Sequence, residues 1–580
     1  MSLETHAFRI LVYDLNTGRG EYVRFGDRRE IIGGSGLAAA LFDSFGANDL
    51  PAFDPVQPLI FAIGPLTGCF PLMSKAICAF KSPYNQQYAE AHAGGRLALA
   101  MRFAHIDALV VKGRAATPSC LVAGIKRLQL HDVHPLWGRG VFATGKAIRK
   151  MFSFGEGHRS ILRIGPAGEN LVAYAGINVD SFRHFGRLGA GAVMGAKNLK
   201  AIVIDGASSM PAPEGKEYNA LFKEIYQDAC GAEMRKYHDL GTPANLITLN
   251  KIRALPWNNL QNTSDEAIDE VSGETFAREL LLRKFACAGC PVGCIHVGLL
   301  REMFADQHEF LYRQVAYDYE PIFSAGTMLG LKKAGDVLAV LDEIEHLGLD
   351  AMSAGVALAW ATEALEKGDI SESDTIVPLR FGDAAAYIKA VDHLARRTND
   401  FYRVLGQGAL AAGDAYGGAD YACVLGQEMA GYATGPVFYV SQALAVRHSH
   451  LDVGGYAFDQ KYDSPSVQEA TDFMVKEERS RIVLTSMVSC LFARSLYSEE
   501  RVVRALTVMG YGDIADNLDA ATRHVQALRW KLKFDTGFDP ETVRIPKRFH
   551  EVENWKGKTD VAFMDELKKA YGAEIRKIVA

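Results

Sequence analysis

Three cysteines fall within eight residues of this 580-residue chain, in the run Phe285-Ala286-Cys287-Ala288-Gly289-Cys290-Pro291-Val292-Gly293-Cys294-Ile295-His296. The C-x2-C-x3-C spacing puts three thiolates on one Gly/Pro-rich loop, an arrangement that grips an iron–sulfur cluster. A cubane cluster needs a fourth thiolate, which can come from far along the chain. A structural zinc site with His296 as fourth ligand satisfies the same spacing, and on spacing alone both readings stand. The other six cysteines, Cys69, Cys78, Cys120, Cys230, Cys423 and Cys490, are scattered. Nine in all is too sparse for a secreted disulfide scaffold.

Charge and hydropathy narrow the function classes. The formal net charge is -6, whereas a nucleic-acid binder usually presents a strongly basic face. No apolar run reaches the 18 or so residues of a membrane helix; Leu59 to Leu66 is interrupted by Gly64 and Pro65. The start, MSLETHAFRI, lacks a basic segment followed by an apolar one. The expectation is a cytoplasmic protein without nucleic-acid or membrane partners.

The patterning predicts an α+β chain of three domains, with a β-rich cofactor platform followed by two mostly helical domains. Phe8 to Leu15, Leu59 to Ile63, Ala108 to Lys112, Ile161 to Ile164 and Ala201 to Asp205 read as strands. Met210-Pro211-Ala212-Pro213-Glu214-Gly215 reads as a linker. Helical periodicity follows over Tyr218 to Ala229, Phe276 to Lys284, Ala334 to Leu347, Met352 to Leu365 and Ala384 to Ala395. It continues over Val467 to Leu484, Glu499 to Met509 and Ile514 to Lys533. The predicted boundaries are 1–209, 210–412 and 413–580. Glycine clusters at Gly33-Gly34-Ser35-Gly36, Gly94-Gly95 and Gly186 to Gly195 sit in the β-rich part, where backbone turns sharply or approaches a ligand closely.

Several motifs in order resemble the aldehyde:ferredoxin oxidoreductases, which carry a tungsten bis-pterin cofactor beside one 4Fe–4S cluster. They are Gly33-Gly34-Ser35-Gly36-Leu37, Gly64-Pro65-Leu66-Thr67-Gly68 with Lys81-Ser82-Pro83, Ala91-His92-Ala93-Gly94-Gly95, and Gly165-Pro166-Ala167-Gly168-Glu169-Asn170. The most specific is Gly186-Arg187-Leu188-Gly189-Ala190-Gly191-Ala192-Val193-Met194-Gly195-Ala196-Lys197-Asn198-Leu199-Lys200, similar to the family's GRGGLGAVMGSKNLKA.

The resemblance implies a cluster on Cys287, Cys290, Cys294 and Cys490. It implies a tungsten (or molybdenum) bis-pterin with Mg2+ bridging the pterin phosphates. Backbone amides in glycine-rich turns hold such anions. The implied cofactor-binding residues are Lys75, His92, Ala93, Gly94, Gly95, Arg183, Gly186, Arg187, Leu188 and Gly189. Glu345, Gly348, Leu349 and Asp350 join them from a D-x-x-G-L-D-like segment, in which a carboxylate accepts N–H bonds from a pterin edge. As a bare hexapeptide, Glu345 to Asp350 also reads as a glycine-capped helix end. Ser489 is carried over from the second such segment, Thr485 to Cys490, which keeps only the final cysteine.

The implied catalytic residues are Glu320 and His450, with His448 as the alternative histidine in Arg447-His448-Ser449-His450, and Tyr319 beside Glu320. Glu320 lies near Ile322, Phe323 and Met328, which predicts a raised carboxyl pKa. Trp257 reads as a core residue or a channel lining. Two further departures are Lys75 where the family has arginine, which loses the planar fork, and His92 where it has asparagine. The expected activity is oxidation of a small-molecule aldehyde to a carboxylate, with ferredoxin or a polyferredoxin subunit as acceptor, in a homo- or hetero-oligomer. The departures keep open a relative with other redox chemistry, such as sulfonate oxidation or low-potential ring reduction. A non-catalytic, zinc-stapled binding protein is the alternative from another class.

Overall fold

The computed structural model describes residues 6–153, 158–206, 214–305 and 309–580. The predicted boundary at 209 and most of the predicted linker, residues 210–213, lie outside the described residues.

The N-terminal part is built on two six-stranded sheets. The first runs Arg19–Phe25, Phe8–Asp14, Ala108–Lys112, Leu59–Ala62, Ala76–Lys81, Tyr88–Ala93. The second runs Arg183–Phe185, Ile177–Val179, Arg159–Arg163, Leu199–Asp205, Ser119–Gly124, Leu128–Asp132. Strands Leu59–Ala62 and Ala76–Lys81 are buried at every position, because both faces of the first sheet are covered. Successive side chains of a strand point to opposite faces, so alternate residues enter different cores. Leu11, Phe61, Cys78 and Phe80 pack with Leu121, Leu162 and Ile202 of the second sheet. Ile10, Ile60, Ile77 and Ala79 pack instead with Leu37, Leu41 and Phe42 of helix Gly34–Phe45. That helix lies against helices Val467–Ser486 and Leu518–Asp535 from the other end of the chain. Arg529 Nε reaches Glu90 Oε1 at 2.7 Å across this contact, with both side chains buried.

The remainder is mostly helical, as the periodicity predicts, with three differences. Only Phe276–Leu280 is helical in the run to Lys284, as a π turn, and Leu281–Phe285 is a strand. It pairs with Ile295–Ala305 beyond the cysteine loop, which pairs with Glu309–Tyr317. Non-local pairing here overrides local helix propensity. The run from Ile514 breaks at Asn517 into Gly512–Asp516 and Leu518–Asp535. Position 412 falls inside helix Ala409–Tyr416, so a boundary there would cut an element. Among the described residues no helix is long and apolar enough to cross a membrane.

Candidate active site

The cysteine loop closes the turn between strands Leu281–Phe285 and Ile295–Ala305. Cys490 arrives after helix Val467–Ser486. Leu72 ties the two together: its N–H donates to Gly289 O at 3.4 Å, and its carbonyl accepts from Cys490 N at 3.0 Å. Lys75 N donates to Val488 O at 3.0 Å in the same strip. Its ammonium is buried among the four thiols. Burial pulls its pKa down, but the charges of Cys490 and Cys287 outweigh that and hold it above the ordinary lysine value. Burial pushes Cys290 up to about 12 and Cys294 higher still, and each is pushed further by Cys490 and Cys287. Thiols raised in this way lose their protons when a metal centre binds among them. Gly94 leaves room for this packing, since a Cβ there would stand 2.6 Å from Cys287 Sγ and 3.2 Å from Lys75 Nζ.

Among the described residues no three His, Cys, Asp or Glu side chains converge on a single-ion site. His296 departs from the zinc expectation. Its Nε2 contacts the carbonyls of His238 and Asp239 at 3.1 and 3.3 Å, and its Nδ1 contacts Cys294 O at 3.2 Å. Both ring nitrogens are thus turned to backbone carbonyls. Of the five remaining cysteines, Cys69, Cys78, Cys120 and Cys423 are buried and Cys230 is exposed.

Lys75 also forms part of the wall of a cavity of about 300 Å3, within the range of ligand sites. His92, Gly94, Arg183, Gly186, Arg187, Leu188, Glu320, Glu345, Leu349, Asp350 and His450 line it with Lys75. Ala93 is buried beside it, and Gly95 opens to a second cavity. Gly189 (φ +91°) packs on the Ala173 carbonyl, away from the lining. Ser489 pairs with Met73 as an isolated bridge, and the segment Thr485 to Cys490 does not reach the cavity.

The segment Glu345 to Asp350 joins two helices. Helix Ala334–Leu347 ends on Gly348 at φ +79°, with Gly348 N to Glu345 O and Leu349 N to Ile344 O, both 3.1 Å. This is a Schellman motif. Asp350 then caps helix Ala351–Lys367, accepting from Met352 N and Ser353 N, and from Arg187 Nε at 3.2 Å. Glu345 accepts from Asn178 Nδ2 at 3.0 Å and His184 Nε2 at 2.9 Å. Both carboxylates thus face protein donors, unlike the free pterin acceptors expected, though each retains lone pairs. Arg187 Nη1 is buried and has no partner among the described residues.

Glu320 and His450 meet across the cavity, with His450 Nε2 at 3.1 Å from Glu320 Oε1. The Tyr432 hydroxyl donates to the same oxygen at 3.1 Å. A tight turn delivers the histidine. Asp452 takes both the backbone N and Nε of Arg447, at 2.9 and 2.5 Å, and Gln427 Nε2 binds the Arg447 and His448 carbonyls. His450 Nδ1 is buried and has no partner among the described residues.

His448 points elsewhere, with Nδ1 at 2.9 Å from Ala443 O and Nε2 at 3.0 Å from Lys533 Nζ, and it does not line the cavity. Tyr319 is buried, its hydroxyl bonded to Gly431 O, and it does not line the cavity either. Trp257 is a core residue whose Nε1 donates to Asn250 Oδ1 at 3.1 Å.

The carboxyl expected to be raised is Glu320, and here the structure differs. Burial raises it, but the hydrogen bond and charge of His450 outweigh burial and lower it. The raised carboxyl is Asp318, pushed up to about 6 by burial and by the charge of Glu320. Sequence reading missed Asp318, Tyr432, Asn178 and His184. Only Asp318 left a signal there: a second carboxylate two residues before Glu320, at the helix N-cap.

Known proteins resemble this arrangement. The family profile described as aldehyde ferredoxin oxidoreductase, N-terminal domain, matches residues 10–206. The profile for domains 2 and 3 of the same family matches residues 218–573. The tungsten-containing aldehyde ferredoxin oxidoreductase of Pyrococcus furiosus is 32% identical over 378 residues, 63% of this chain and 60% of that protein. That of Thermococcus kodakarensis is 30% identical over 427 residues, 71% of this chain and 68% of that protein. The aliphatic sulfonate oxidoreductase, WOR-like subunit, of Pyrococcus furiosus is 27% identical over 406 residues, 66% of this chain and 63% of that protein. Among solved structures, the active site complex BamBC of benzoyl coenzyme A reductase with 1,5-dienoyl-CoA shares the fold. It has a TM-score of 0.82 and 20% identity, covering 98% of this chain and 94% of that one. With both profiles together spanning most of its length, the chain belongs to the aldehyde ferredoxin oxidoreductase family.

Proposed function

We propose that the protein is a tungsten- or molybdenum-pterin oxidoreductase. In this reading it oxidises an aldehyde to a carboxylate and delivers electrons through a 4Fe–4S cluster to ferredoxin or a polyferredoxin subunit. The observation that carries it is the Glu320–His450 pair on a cavity wall, with His450 Nδ1 buried and unpartnered. A buried polar atom without a partner calls for one from a ligand.

The residues fit the cofactor group. Arg187 Nη1 is a second buried, unpartnered donor, suited to an anionic pterin substituent. Lys75 bridges the cavity and the thiols, so one cation faces both redox centres. Thr485 to Ser489 does not line the cavity, and Gln427, Arg447, Ser449 and His450 are the last part of the chain's polar contribution to the wall. His92, on the cavity wall, would offer its backbone carbonyl to a Mg2+ ion. The cluster falls to Cys287, Cys290, Cys294 and Cys490, since four thiols that share a charge environment without converging on one ion suit a larger group.

When bound, the metal–pterin group supplies a two-electron acceptor beside the substrate. The chain's own residues handle protons and position. Glu320, kept ionised by His450, accepts the proton of water or of a hydrated carbonyl. His450 donates from Nδ1–H to the substrate oxygen as negative charge develops there. Tyr432 fixes the Glu320 oxygen that His450 also uses.

The test is viologen-dye reduction by anaerobically purified protein with aldehydes from short aliphatic to aryl. Dye reduction by at least one is expected, and none across the range would sink the aldehyde reading. Oxidation of a sulfonate is the second reading, favoured by the 27% identity to the sulfonate oxidoreductase subunit, and alkyl sulfonates in the same assay would reveal it.

A further inference from the structure

A second cavity, of about 730 Å3, opens beside the cysteine loop. Ala286 and Ala288, the neighbours of Cys287 on either side, line it, and Ala288 N donates to Gly95 O at 2.9 Å on its floor. Its walls carry Arg96, Arg149, Arg159, Arg183 and Arg283. Among the described residues that line it, Asp180 is the one acid. That carboxylate is turned inward, accepting from Ser160 Oγ at 2.9 Å and Ile161 N at 3.0 Å. A chain of net charge -6 therefore concentrates cations next to Cys287.

The cavity continues onto one face of the three-stranded sheet. Phe285 and Ile295 are direct partners, as are Arg283 and Val297, and Leu299 and Gln314. Directly opposed residues share a face, and alternate residues along a strand repeat it. The face therefore runs outward from Arg283 and Gln314, joined at 2.6 Å, through Arg301 and Tyr312 to Met303 and Phe310. Tyr312 is 61% and Met303 58% exposed, and the Arg301 guanidinium lies 3.6 Å from the Phe310 ring centre. A basic hollow continued by an exposed tyrosine, methionine and arginine has the composition of a protein interface.

We infer that this hollow and sheet face dock an acidic iron–sulfur electron-carrier protein, with Arg149 and Arg283 receiving its carboxylates and Tyr312 and Met303 giving apolar contact. The assignment rests on the proposed cluster at Cys287, Cys290, Cys294 and Cys490, because Ala286 and Ala288, on either side of Cys287, line the hollow. The charge selects an acidic partner, and the width of the face, from cavity to hairpin, selects a protein over a small anion. Neither Arg149, Arg283 nor Tyr312 touches the first cavity.

The test is calorimetric binding of an acidic bacterial ferredoxin to the anaerobically purified full-length protein, with iron content measured on the same samples. Wild type is expected to bind at low salt and to weaken as salt rises. The double variant Arg149→Glu/Arg283→Glu should bind about tenfold or more weakly, and Tyr312→Ala several-fold more weakly with its salt dependence kept. Reduction of benzyl viologen by the dithionite-reduced variants should match wild type, because a small cationic dye needs no such surface. Equal ferredoxin binding by wild type and the charge-reversed variant would overturn the assignment. So would loss of ferredoxin binding in neither variant together with stoichiometric binding of inorganic triphosphate, which would make the hollow a small-anion site. Absence of iron would instead refute the cluster, and iron and binding are read separately.

Discussion

Glu320 and His450 stand 3.1 Å apart, and variants separate the two roles proposed for them. Glu320→Gln keeps the volume and a hydrogen-bonding group but cannot take a proton. Dye-linked turnover is expected to fall about 10^2 to 10^4-fold, the usual worth of a positioned acid/base group, with iron content unchanged. His450→Phe bears on pH. Glu320 is lowered because His450 opposes the effect of burial, so without the histidine burial dominates and the carboxyl rises. The base is then lost at higher pH as the solution is acidified, and the acid limb of kcat/KM should move upward. An unmoved limb in His450→Phe would place the titrating group elsewhere, with Asp318, already raised to about 6, the first candidate. Glu320 and His450 were legible in the sequence because each sits in a motif. Tyr432 was not, because it reaches Glu320 from 112 residues away and nothing local marks it.

At the scale of elements, one contact that joins the two ends of the chain is the Glu90–Arg529 pair. Burial raises Glu90, but the Arg529 charge, with His92, outweighs it and holds the carboxyl well below its usual range. A lowered carboxyl stabilises the fold above the unfolded-state carboxyl pKa, and that contribution fades as pH falls toward the folded value. Arg529→Met leaves a buried carboxylate without its partner and is expected to cost about 3–5 kcal/mol in denaturant titrations at neutral pH. Adding Glu90→Gln should recover a large part of the loss, whereas simple additivity of the two would show that the pair is not coupled. This contact spans 439 residues and is invisible to periodicity. Helices such as Ala334–Leu347 were legible because their apolar spacing is local and a glycine marks the end. The strand Leu281–Phe285 was not, because only its partner beyond the cysteine loop makes it a strand.

At the scale of the molecule, one apolar core draws on every region. Phe8, Ile60 and Tyr88 share it with Leu341, Trp360, Phe438 and Ile575. The face of the first sheet that carries Ile10, Ile60 and Ile77 is covered through helix Gly34–Phe45 by helices from beyond residue 466. A fragment of residues 6–206 should therefore bind hydrophobic dyes and aggregate, and a fragment that unfolds cooperatively without dye binding would contradict the shared core. A β-rich start and a mostly helical remainder were legible in the patterning, but not that the remainder completes the core of the start. In the proposed function one pocket, walled by Lys75, Arg187, Glu320 and His450, holds a pterin-bound metal beside a cluster of four cysteines. Elemental analysis of anaerobically purified protein tests this most directly. About four irons per chain together with tungsten or molybdenum are expected, and zinc without iron would contradict it.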